Sequence, residues 1–243
     1  MDWLRLGPRV EGSFGRDPFI QMDMKTRDRK AGMAALKSGV WLLCLLPLGI
    51  LMLEFVQDRL GANPIERITH LTGFFGLTFL VATLAVTPLR RLSGWNGAIK
   101  LRRLIGLFGF FYVCLHFLTY LILDHFFDWG TIVEDIVERP YITVGFTALV
   151  LLIPLAITST KGWIRRLGRR WQILHRLVYA AAGLGVLHFF WKEKADTREP
   201  LIFAAALAVL LLFRIPQFLK RAAARRATGR KGSGASPSPS PSS

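Results

Sequence analysis

A chain of 243 residues that is 52% hydrophobic yet carries a formal charge of +16 is too apolar for an ordinary basic soluble protein. In a soluble domain that much Lys and Arg would point to neutralised nucleic-acid phosphates, but here long apolar runs alternate with short basic loops. The pattern excludes a nucleic-acid partner and predicts a polytopic membrane protein whose excess cations mark the cytoplasmic side.

Residues 1–36 hold Arg5, Arg9, Arg16, Lys25, Arg27, Arg29 and Lys30 and read as a basic cytoplasmic segment. The first apolar run, at 37–56, ends in LMLEFVQDRL with no small-residue cleavage pattern, which predicts an uncleaved helix rather than a signal peptide. Further runs follow at 67–88, 104–123, 141–159, 171–191 and 200–219. Each is near the roughly 20 residues that cross about 30 Å of hydrocarbon, and with no water there to satisfy the backbone each must be helical. The expected fold is an all-α integral membrane protein, a six-helix transmembrane bundle over 37–219. Residues 220–243 start basic and end Ser/Pro-rich, a composition that cannot pack a core and predicts disorder. The basic run LKRAAARRATGRK suits anionic membrane lipid. Cys44 and Cys114 sit inside apolar runs and read as small packing residues. No internal repeat is evident.

Loop charges set the orientation. The second loop carries Arg90, Arg91, Lys100, Arg102 and Arg103, and the fourth Lys161, Arg165, Arg166, Arg169 and Arg170. The third is acidic, with Asp124, Asp128, Glu134, Asp135 and Glu138 against Arg139. This alternation predicts that both termini are cytoplasmic.

Orientation turns sequence position into depth at about 1.5 Å per residue. His70, His116 and His188, on three different helices, then share the outer layer, while His175 is alone near the cytoplasmic face. His125, in DHFFDW, reads as a surface residue. Histidine in hydrocarbon is costly and marks function. A b-type haem held by two axial imidazoles from facing helices fits this layer. Zinc fits less well, because it favours tetrahedral sites completed by Cys, carboxylate or water. His175 and His188 are thirteen residues apart in WQILHRLVYAAAGLGVLHFFW. On one ideal helix that is about 20 Å in height and some 140° in direction, so they cannot share one haem. Thirteen residues before His116 stands Arg103, not histidine. The outer site is therefore complete and the inner one is not.

The segments GANPIERITHLTG, FLVATLAVTPLRRL, LRRLIGLFGFFYVCLHFLTY, ERPYITVGF, LAITSTKGWIRRLGRRWQILHRLVYAAAGLGVLHFFW and PLIFAAALAVLLLFR cover about residues 61 to 214. In them the chain resembles the ferric-reductase-like transmembrane proteins, and specifically the haem-binding membrane subunits (MsrQ type) of bacterial periplasmic methionine sulfoxide reductase systems. The resemblance implies haem b, one or two per chain, an associated FMN, and a multi-pass location in the bacterial inner membrane. It implies electrons passing from the quinol pool or a cytosolic flavin reductase to a periplasmic molybdopterin-dependent methionine sulfoxide reductase. The family's haem-linked histidines map onto His116, His175 and His188, and of these His116 and His188 are expected as axial ligands of an outer haem. His70 is an alternative ligand or a hydrogen-bonding neighbour, and His175 a ligand of an inner haem, a flavin or quinone contact, or a structural residue. For the flavin phosphate and ring, Arg102, Arg103, Arg165, Arg169 and Trp171 offer cations and an aromatic wall. No nucleophile or acid–base constellation is visible, so electron relay without independent substrate turnover is expected. The alternatives are a stand-alone ferric or cupric reductase and, in another class, a transporter or structural membrane protein.

Overall fold

The computed structural model describes residues 18–193 and 196–214, and every regular element among them is helical. The helices are α1 (Pro18–Val56), α2 (Pro64–Ser93), α3 (Ala98–Thr119), α4 (Trp129–Glu138), α5 (Pro140–Ile157), α6 (Lys161–Leu167), α7 (Arg169–Leu174), α8 (Leu177–Lys192) and α9 (Arg198–Leu212). A π-helical turn, Tyr120–Asp124, prolongs α3. The chain divides into two units, Met1–Leu42 and Leu43–Ser243, and the packing and the site described below concern the second. The expectations for the first seventeen residues and for the Ser/Pro-rich tail lie outside the described residues.

Five segments are long and apolar enough to cross a membrane: Lys30–Val56, Pro64–Ser93, Ala98–Asp124, Pro140–Ile157 and Arg169–Lys192. The sixth apolar run forms α9, whose 15 residues span about 22 Å, short of the hydrocarbon thickness. Its expected continuation to 219 lies outside the described residues. Leu46, Leu53, Val150, Ile153, Ile202 and Val209 are exposed, an outward apolar surface of the kind that lipid covers.

Local sequence accounts for the helix ends. Asn63 caps α2, its side-chain oxygen accepting from the Glu66 N–H at 3.3 Å while its amide donates to the Glu66 carboxylate at 3.0 Å. Pro64 follows at the first helical position, where its missing N–H costs nothing. Gly94, at φ 68°, closes the other end in the left-handed conformation that glycine tolerates. Pro140 opens α5 in the same way.

Two expectations are corrected. The acidic third loop contains the amphipathic helix α4, capped by Asp128. The run 171–191 is not one ideal helix: α7 stops at Leu174 and α8 starts at Leu177. Between them the Arg176 N–H donates to the Ile173 carbonyl at 3.1 Å and the Tyr179 N–H to the Arg176 carbonyl at 3.0 Å. These tighter i→i+3 bonds interrupt the α-helical ladder, so the 140° reckoning from an unbroken helix does not apply.

Packing runs chiefly between α2 and α3 and between α5 and α8. Leu77, Leu80, Leu84, Leu152, Val178 and Ala181 belong to the common core. Tyr112 of α3 is fully buried. Its hydroxyl donates to the Cys44 carbonyl at 2.9 Å and accepts from the Leu48 N–H at 3.1 Å. Residues 44 and 48 are successive partners in the helical ladder, so the tyrosine bridges one rung of α1, next to Pro47, and ties α1 to α3.

Candidate functional site

A cavity of about 710 Å³ opens between α2, α3, α5 and α8, within the range of small-molecule and cofactor sites. Its wall is mostly apolar, with Phe74, Leu77, Val113, Leu149, Leu152 and Phe189 among the lining side chains. His116 of α3 and His188 of α8 both enter it, with ring centres 6.0 Å apart and ring planes at 78°.

Each ring is held in the same manner. His116 Nδ1 lies 2.8 Å from the Thr69 carbonyl oxygen, and His188 Nδ1 lies 2.7 Å from the Tyr141 carbonyl oxygen. A carbonyl can only accept, so both Nδ1 atoms carry the proton and donate it, and both Nε2 atoms keep a free lone pair. Such a hydrogen bond fixes the tautomer and aim of a metal-binding histidine.

Two glycines make this approach possible. A Cβ on Gly73 of α2 would lie 2.9 Å from His116 Nδ1, and one on Gly145 of α5 would lie 2.7 Å from His188 Nδ1. Each glycine stands four residues after the accepting carbonyl, one helical turn along. The missing side chain is the slot into which the imidazole drops. The sequence carries Gly73 in HLTGFFG, where it reads equally as room for a helix, and nothing in ERPYITVGF marks Gly145.

His70 also lines the cavity but is half exposed. Its ring stacks on Phe74 and meets Phe189 edge-on, and its Nε2 is 3.9 Å from a Glu199 carboxylate oxygen. His175 is not part of the cavity wall. It ends α7 stacked at 3.9 Å on Trp171, whose indole N–H donates to the Thr158 carbonyl at 2.9 Å. Of the residues expected to meet a flavin, Arg103 donates to the Ser159 carbonyl at 3.1 Å, Arg102 is partly buried, and Arg165 and Arg169 are exposed. All stand at the end of the bundle away from the paired histidines.

His125 is not a surface residue. Its side chain is 15% exposed and its ring packs on Tyr120 with centres 4.4 Å apart. Both serve the buried Asp135, which accepts from the Tyr120 hydroxyl at 3.2 Å and lies 3.3 Å from His125 Nε2 and 3.0 Å from Arg139 Nε. Tyr120 and Arg139 in turn line the cavity, so this network braces one side of its wall. Sequence reasoning saw only a charged loop there.

Among the described residues no group of three or more His, Cys, Asp and Glu side chains is arranged to hold a bare metal ion. Two imidazoles facing each other across an apolar cavity suit a planar, metal-centred group instead.

The family described as ferric reductase like transmembrane component matches residues 72–186. The chain is 58% identical over 186 residues to the protein-methionine-sulfoxide reductase heme-binding subunit MsrQ of Herminiimonas arsenicoxydans, covering 75% of this chain and 85% of that one. To the MsrQ subunit of Rhodospirillum rubrum it is 55% identical over 205 residues, 84% of this chain and 96% of that one. The corresponding protein of Ralstonia nicotianae is 52% identical over 75% of this chain and 86% of its own length. No solved structure matches the chain.

Proposed function

The chain belongs to the MsrQ family of protein-methionine-sulfoxide reductase heme-binding subunits, and from that premise we propose that it is an electron-transfer subunit in which His116 and His188 would hold a b-type haem. The observation that carries this reading is the imidazole pair, 6.0 Å between ring centres with both Nδ1 protons committed to backbone carbonyls. The cavity volume and its apolar wall fit a macrocycle.

The bound haem supplies a one-electron ferric–ferrous couple. The chain does the rest. Thr69 and Tyr141 hold the two imidazoles in the tautomer that offers Nε2, Gly73 and Gly145 admit the rings, and the Leu and Phe wall excludes water. Lys192 stands at the polar rim of the cavity, where a carboxylate carried by a ligand would find a counter-charge, while Arg139 and Arg67 there are paired with Asp135 and Glu54. His70, on the rim beside Glu199, is a neighbour that tunes the site.

Electrons enter at the basic end, from the quinol pool or a cytosolic flavin reductase, and leave at the histidine end toward a periplasmic molybdopterin methionine sulfoxide reductase. The loop charges support this direction, with both termini in the cytoplasm, and membership of the family supports a place in the bacterial inner membrane, with α9 as the sixth helix. FMN, where present, belongs at the basic end, near Trp171 and the arginines.

The test is haem stoichiometry in the purified protein, from the visible spectrum of its pyridine adduct. Wild type should carry haem, and His116→Ala and His188→Ala should each lose it. Full retention in either variant removes that residue from the pair. A haem-free wild-type protein that is otherwise folded refutes the relay itself.

A further inference from the structure

Arg214 follows the last turn of α9, yet only 6% of it is exposed. One of its donors has an evident role. Pro88 has no N–H to give the Leu84 carbonyl one turn back in α2, and Arg214 Nη2 donates to that oxygen at 2.9 Å. The guanidinium carbon also lies 4.9 Å from the centre of the Tyr179 ring. These contacts leave the charge itself uncompensated, and Nε is buried with no hydrogen-bond partner among the described residues. A buried charge without a counter-ion is costly.

The chain has little with which to neutralise it. No Asp or Glu occurs between Glu66 and Asp124, between Glu138 and Glu193, or after Glu199. The loops at this end of α2, α3, α5 and α8 are therefore wholly cationic, and the charges acting on Arg214 are those of Arg102 and Arg91. Arg91 and Arg214 share a cavity of about 40 Å³ with Pro88, Leu92 and Phe213, room for a group of a few oxygens. Beside it Leu89, Leu92 and Phe213 are exposed apolar surface, at 53%, 77% and 54%.

We propose that Arg214 and Arg91 bind the phosphate of an anionic phospholipid, with its acyl chains along Leu89, Leu92 and Phe213. The arginines supply the forked donors that phosphate oxygens match. The apolar track is what favours a lipid over a soluble phosphate ester. The inference rests on α2 and α9 lying in the membrane and not on the haem, so its failure and that of the haem assignment are separable. His116→Ala should leave it unchanged.

The experiment is native mass spectrometry and thermal melting of the full chain, delipidated in detergent and then given phosphatidylglycerol, phosphatidylcholine or inorganic phosphate. Wild type should retain phosphatidylglycerol preferentially and melt several degrees higher with it. Arg214→Gln should lose that preference. Arg91→Gln, at an exposed position that leaves the core intact, should weaken it several-fold, and Lys100→Gln at the same end should not. Equal retention of the two lipids by wild type, or undiminished preference in Arg91→Gln, would overturn the site. Full stabilisation by inorganic phosphate alone would overturn the lipid as its occupant.

Discussion

Gly145→Ala is the most informative single perturbation, because it adds one methyl group and nothing else. That methyl would lie 2.7 Å from His188 Nδ1, 3.0 Å from Cε1 and 3.1 Å from Cγ, well inside the roughly 3.5–4.0 Å of ordinary contact. The histidine ring has to tilt away by most of an ångström, and its 2.7 Å bond to the Tyr141 carbonyl breaks. Loss of the group that orients a metal-binding histidine costs about 10–100-fold in affinity, or about 1.4–2.7 kcal/mol. The same change in a helix otherwise favours folding by about 0.4–1 kcal/mol, since alanine restricts the unfolded chain. The two effects oppose each other and are read separately, by haem titration of the purified protein and by its melting temperature without haem. Weakened haem binding is the expected result, with a haem-free melting temperature that moves little because the lost hydrogen bond, about 0.5–1.5 kcal/mol, offsets the alanine gain. Gly73→Ala, 2.9 Å from His116 Nδ1, should behave alike. Full haem affinity and an unchanged visible spectrum in both variants would refute the idea that the glycines are slots for the imidazoles.

Tyr112→Phe removes the hydroxyl that bridges Cys44 and Leu48 and should destabilise the protein by about 1–3 kcal/mol, measured by thermal melting; no loss would mean that the α1 rung recloses unaided. Asp135→Asn takes the charge from a buried carboxylate serving Tyr120, His125 and Arg139. It should cost about 1.5–3 kcal/mol, the range for hydrogen bonds to charged groups, with hydrogen exchange rising first in α4. Asp128, the exposed cap of α4, is held below the usual carboxylate range chiefly by the Thr131 hydroxyl, with help from the Thr131 and Gly130 N–H groups. A depressed folded pKa means the cap contributes fully above the unfolded value of about 4 and is lost only as pH falls through the lower folded one. Amide protection at 130–132, corrected for the intrinsic pH dependence of exchange, should therefore hold at pH about 4 and fall below it; a fall already near neutrality would contradict the cap.

Much of the architecture was legible because lipid imposes simple rules: span length and helical backbone are written in composition. That His116 and His188 share one layer followed from counting residues along each helix, and the structure brings the two rings together. What composition could not convey is where a side chain finds a backbone oxygen. The carbonyls of Thr69 and Tyr141 belong to every sequence alike, and a glycine slot looks like any other helical glycine. The break at His175 was hidden for a related reason. Trp171, His175 and Val178 keep an apolar face through it, so periodicity runs on while the hydrogen bonds change to i→i+3. The helix α4 was masked by its charges, which read as a loop although Asp128 and Thr131 mark a capped start.

The unnoticed repeat has the same origin, and it bears on why one site is complete. Thr69, Gly73 and His116 on α2 and α3 correspond in role to Tyr141, Gly145 and His188 on α5 and α8. Thr69 to His116 and Tyr141 to His188 are both 47 residues apart, and from 73 to 145 or from 116 to 188 is the same step of 72. Gly-Phe recurs at 73–74 and 145–146, and Leu-His-Phe at 115–117 and 187–189, with little identity between. Each helix pair thus makes one half of the cavity from the same parts: a carbonyl, a gap beside it and an imidazole that fills the gap. Applied at the other end, the same step of 72 sets Arg103 against His175. There one half offers an imidazole and the other a guanidinium that donates to Ser159. By this step of 72 the imidazole pair stands at the His116–His188 end, and at the opposite end His175 meets Arg103 instead.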